Sequence, residues 1–113
     1  MPAGIYTKEY LTRLGLWQEL EPKIVPTENV RAALAAVESG NVDAGFAYKT
    51  DANISAKVKI VFTVAAEEGP PIRYPVALIR EAKEKSAAGK FLAYLQSADA
   101  RKTFEHYGFI VKF

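Results

Sequence analysis

Residues 29–48, NVRAALAAVESGNVDAGFAY, constrain the chain more than any other stretch. Asn29 can cap a helix by accepting a hydrogen bond from an early backbone N–H. Val30, Ala33, Leu34 and Val37 then recur at i, i+3, i+4 and i+7, which gives a helix one apolar face. Gly40 stands where a helix ends on a left-handed residue. Asp43-Ala44-Gly45-Phe46-Ala47-Tyr48 follows as a short apolar run, the pattern of a strand covered on both faces. A helix start brought beside a strand end is how open α/β sheets build ligand sites.

The remaining segments extend that pattern. Residues 3–14 predict a helix with Tyr6, Tyr10, Leu11 and Leu14 on one side, Pro2 at its start and Gly15 at its end. Residues 17–22 read as a connection, and 23–26 as a short strand cut off by Pro26. Residues 49–57 read as a polar loop, with a helical turn near Asp51-Ala52-Asn53. VKIVFTVA at 58–65 has the β-branched content of a strand. Glu67-Glu68-Gly69-Pro70-Pro71 is a turn or linker, and 72–79, IRYPVALI, another strand, placed at an edge or crossover by Pro75. Residues 86–96 predict a helix with Ala88, Phe91, Leu92 and Leu95 on one face. Ser97 caps a second, over 98–107, closed by Gly108, and 109–113 trail off as an apolar tail. This alternation points to an α/β fold.

The chain has 113 residues, enough for one domain with a modest core. A net charge of +2, with scattered basic residues, gives no electrostatic footprint for nucleic acid. The sequence has no run of about 20 apolar residues that could span a membrane. With no cysteine, disulfides, thiol nucleophiles and cysteine metal sites are excluded. MPAGIYTKEY has neither the basic nor the apolar region of a signal peptide, so none is expected.

Catalytic chemistry finds little support. His106 is the one histidine, with no second to share a metal or a proton relay. Glu67 and Glu68, adjacent in a turn, read as solvated carboxylates. The glycines form no phosphate loop, and no serine has the setting of a nucleophile elbow. The helix starts at Ala3 and at Asn29-Val30 remain. Each offers unpaired backbone N–H groups and the positive end of a helix dipole, which bind oxyanions without a cationic side chain. Tyr48 adds a neutral hydroxyl donor. On physics alone the plainer reading, in which Val30 only begins a helix and Tyr48 only packs, stands ahead of the site.

An ordered series of motifs carries a resemblance. Pro2-Ala3-Gly4-Ile5-Tyr6-x-Lys8-Glu9, Leu14-Gly15-Leu16-Trp17, Glu28-Asn29-Val30-Arg31-x-Ala33-Leu34 and Ala44-Gly45-x-x-Tyr48-x-Thr50-Asp51-Ala52 resemble the molybdate-binding protein of the bacterial ABC importer. The likeness continues through Pro71-Ile72-x-Tyr74-Pro75-Val76-Ala77 and residues 88–109. It implies a type II periplasmic-binding-protein fold whose two lobes hold a tetrahedral oxyanion with neutral donors. Carried over by motif, the donors here are the Ala3 and Val30 amides and the Tyr48 hydroxyl. It implies molybdate or tungstate as ligand, no cofactor, an importer permease as partner, and a place in the periplasm or at the cell surface.

Only the C-terminal half of that family is matched. Residues 1–71 correspond to most of the second lobe. Residues 72–113 correspond to a crossover strand and the terminal helices that pack on the first lobe. The expectation is a fragment that alone binds molybdate weakly or not detectably. Without its partner surface it should form a homodimer through Phe91, Leu92, Phe104 and the tail, with the terminal helices exchanged. The competing expectations are the ligand-sensing domain of a regulator, or a remnant that only self-associates.

Overall fold

The computed structural model describes residues 2–113, which form two units, 2–71 and 72–113. Among the described residues there are six α-helices: α1 (Pro2–Arg13), α2 (Trp17–Leu20), α3 (Val30–Glu38), α4 (Lys49–Ala52), α5 (Lys85–Leu95) and α6 (Ala98–His106). A single 3-10 turn, Glu21–Lys23, follows α2.

Helix ends follow local chemistry. Asn29 is extended, with φ −155° and ψ 171°, and its side chain accepts from the Ala32 N–H at 2.9 Å. Ser97 caps α6 in the same way, accepting from the Ala100 N–H at 3.2 Å. Gly40 adopts φ +74°, and behind it the Asn41 N–H reaches back to the Ala36 carbonyl at 3.0 Å. This is the six-residue closure that needs a left-handed residue, which glycine supplies without a Cβ clash. The same closure ends α1 (Leu16 N–H to Leu11 carbonyl, 2.9 Å) and α6 (Phe109 N–H to Phe104 carbonyl, 3.0 Å).

In the first unit α1 packs on α2, and Lys8 places its ammonium 4.9 Å from the centre of the Trp17 ring. Residues 17–22, expected as a plain connection, thus contain a helical turn. The α3 helix packs on α4, and the Ser55 hydroxyl donates to the Glu38 carboxylate between them. Phe46 and Phe62 meet edge to face at 6.4 Å. In the second unit α5 packs on α6. Phe109 meets Tyr74 at 5.7 Å and Phe104 at 5.9 Å, and Arg101 lies over the Phe113 ring and donates to the Phe113 carbonyl. The tail that composition left trailing is therefore held by aromatic contacts.

The expected strands are not formed. Among the described residues none of the segments 23–26, 43–48, 58–65 and 72–79 is assigned as strand. The stretches 44–48, 58–65 and 70–79 run without turn or bend, yet no backbone hydrogen bond joins one to another. A strand is stabilised by a neighbour that takes its N–H and C=O groups, and composition alone does not provide that neighbour. Pro75 also withholds one N–H. The α/β architecture is thus present as helices and unpaired segments only.

Burial is correspondingly shallow. The buried apolar residues among those described are Ala3, Leu11, Val30 and Ala100.

Candidate functional site

Pro2 opens α1, its fixed φ and missing N–H suiting the first helical position. Ala3 follows and is buried. Its carbonyl accepts from the Thr7 hydroxyl at 2.8 Å, and its N–H has no partner among the described residues. The first turn of α1 carries no acidic side chain, so nothing there neutralises the positive end of the helix.

Val30 is the first residue of α3, and it too is buried. The Asn29 side chain takes the Ala32 N–H, and the Asn29 carbonyl takes the Ala33 N–H at 3.1 Å. The Val30 and Arg31 amides are then left without a partner among the described residues. The first turn of α3 also lacks an acidic side chain. The Arg31 amide was missed in the sequence, although the same Asn29 cap signals it: a cap that serves Ala32 leaves two amides ahead of it open.

Tyr48 is the extended residue before α4, with φ −71° and ψ 143°. Its carbonyl accepts from Asp51 and Ala52, both at 3.0 Å, and its half-buried side chain makes no cap on α4. The approach of Gly45 to Val37 ties this segment to α3. Ala3, Val30 and Tyr48 therefore share the first unit, each at or beside the start of a helix. The donors are two or more main-chain amides and a phenol. All are neutral hydrogen-bond donors, a set suited to holding an anion.

Other features are less suggestive. Among the described residues no three His, Cys, Asp or Glu side chains could hold a metal ion, and no polar side chain is buried. His106 stacks edge to face with Tyr107 at 5.1 Å at the end of α6. Glu67 and Glu68 are exposed in their turn. A hollow of about 300 Å³ beside α3 and α4 is lined by Arg31, Glu38 and Asp51, charges of both signs, with Ser55 already bonded to Glu38. No described helix is long and apolar enough to cross a membrane.

Residues 1–110 match the family described as bacterial extracellular solute-binding protein. YvgL of Bacillus subtilis, named provisionally as an ABC transporter substrate-binding lipoprotein, is 50% identical over 109 residues, 96% of this chain and 42% of its own length. The molybdate-binding protein ModA of Escherichia coli is 41% identical over 112 residues, 99% of this chain and 43% of its own. ModA of Haemophilus influenzae is 38% identical over 112 residues, 99% of this chain and 44% of its own. The chain thus spans less than half the length of each of these relatives.

Proposed function

Because this chain belongs to the bacterial extracellular solute-binding protein family, we propose that it holds molybdate or tungstate as the oxyanion-binding part of an ABC importer's solute receptor. The Ala3 and Val30 amides and the Tyr48 hydroxyl are the donors, converging on one tetrahedral dianion. The family is one of receptors, not of enzymes, and the proposed role is binding without turnover. Two further elements belong to the proposal: a type II binding fold whose strands form when the unpaired segments find neighbours, and a permease that receives the anion outside the cytoplasmic membrane.

The observation that carries this reading is the pair of helix starts. Ala3 and Val30 are two of the buried apolar residues, and each stands in a first turn with no acidic side chain and with amides that have no partner among the described residues. Likeness over nearly the whole chain to two molybdate-binding proteins supports the choice of anion. Unpaired segments and exposed apolar side chains support a further element of the proposal, association of the chain with itself.

An amide-resolved titration by NMR with molybdate, tungstate and sulfate tests the site. Molybdate and tungstate should move the Ala3, Val30 and Arg31 amides together, with one saturation curve. Shifts confined to other residues, or unchanged in a Tyr48→Phe variant, would sink the assignment.

A further inference from the structure

We propose that two copies of this chain join through the segment 58–64, paired antiparallel about a two-fold axis at Val61. This rests on the reading that the chain self-associates, and it replaces exchange of terminal helices as the means. The segment, VKIVFTV, runs without turn or bend, and none of its backbone N–H or C=O groups takes part in a hydrogen bond among the described residues. Val61 is 85% exposed and Phe62 61%. Natural edges of this composition are guarded by proline, bulges or inward charges, since a bare edge is a template for another strand. Here the guard is a single lysine, Lys59.

Symmetry chooses the register. A segment pairing with its own copy antiparallel must place one position on the axis. With Val61 there, Ile60 faces the copy's Phe62, Val58 faces Val64, and Lys59 faces Thr63. Apolar and aromatic side chains then pair on one face, the kind of cross-strand contact that stabilises sheets. No lysine opposes a lysine. An axis at Lys59 would set the two ammonium groups against each other, an unfavourable pair.

Exposed apolar side chains and charge favour a second copy as the occupant. Ile60, Val61 and Phe62 are all exposed, a run of apolar side chains that a second copy of the same segment would cover. A net charge of +2 adds little repulsion between copies. Joining the segments also brings Phe62 and its edge-to-face neighbour Phe46 to the seam from both sides.

The absence of cysteine makes the test clean. In the 113-residue chain, Val61→Cys should oxidise to a cross-linked dimer, since opposed positions lie about 4.5–5.5 Å apart between Cα atoms, within disulfide reach. Thr63→Cys alone should not, because that register separates the two copies of position 63 by about 14 Å. An equimolar mixture of Lys59→Cys and Thr63→Cys chains should cross-link to each other. By sedimentation, Val61→Lys should raise the dimer dissociation constant by about tenfold or more, with helical circular dichroism unchanged. A dimer that survives Val61→Lys and gives no Val61→Cys cross-link overturns the pairing and leaves self-association standing. A wild-type chain that stays monomeric overturns both.

Discussion

A Cβ built on Gly45 would stand 2.9 Å from the Cγ2 of Val37, closer than such atoms pack. Val37 belongs to α3, the helix that begins at Val30, and Gly45 to the segment that ends at Tyr48. This contact therefore sets how near the phenol's segment lies to the helix that offers the amides. Gly45→Ala should destabilise the first unit by about 1–3 kcal/mol, the usual cost of overpacking. Adding Val37→Ala, which removes the opposing methyl, should recover most of that loss. Denaturant melts of the two single variants and the double variant measure the coupling, and strictly additive losses would show that the contact is not felt.

Asn29 separates stability from binding. Asn29→Ala removes the 2.9 Å acceptor of the Ala32 N–H and should cost about 1 kcal/mol. Asn29→Asp keeps a capping oxygen, so melts should place it near wild type. Its carboxylate would sit beside the Val30 amide and repel the oxyanion. Molybdate binding should weaken in the Asp variant despite intact stability, and equal binding would remove Val30 from the site.

Affinity should be low. Three hydrogen bonds to a charged ligand contribute about 1.5–3 kcal/mol each, and association itself costs about 4 kcal/mol or more. The surplus is at most about 5 kcal/mol, a dissociation constant of about 0.2 mM at best. Isothermal titration of the Val61→Lys chain with molybdate checks this, and submicromolar binding would mean donors beyond Ala3, Val30 and Tyr48.

The second unit has its own test in Phe109, whose ring touches both Tyr74 and Phe104. Aromatic pairs of this geometry contribute about 0.5–1.5 kcal/mol each beyond buried area. Phe109→Leu should keep most of the apolar volume, lose that contribution, and dim the near-ultraviolet circular dichroism of Tyr74. An unchanged spectrum would show that Tyr74 is not held by that ring.

These residues also show what could be read in advance. The caps at Asn29 and Ser97 and the stop at Gly40 were legible because each acts within about one helical turn of itself. The helix at Trp17–Leu20 was not, because it is one turn long and Lys8, from another helix, lies over its tryptophan. The segments 58–65 and 72–79 carry strand composition, but a ladder needs a neighbour, and pairing is not a property of either segment. The site divides in the same way. Open amides at Ala3 and Val30 follow from local helix rules, while the approach of Tyr48's segment to α3 depends on Gly45 meeting Val37 across the fold.

The left-handed turn at Gly40 has a use in chemical synthesis. A mirror-image residue prefers the positive φ that ordinary amino acids avoid. D-alanine at position 40 would suit the backbone already there while narrowing the freedom of the unfolded chain. That substitution should lengthen the life of α3, where the natural enantiomer would shorten it.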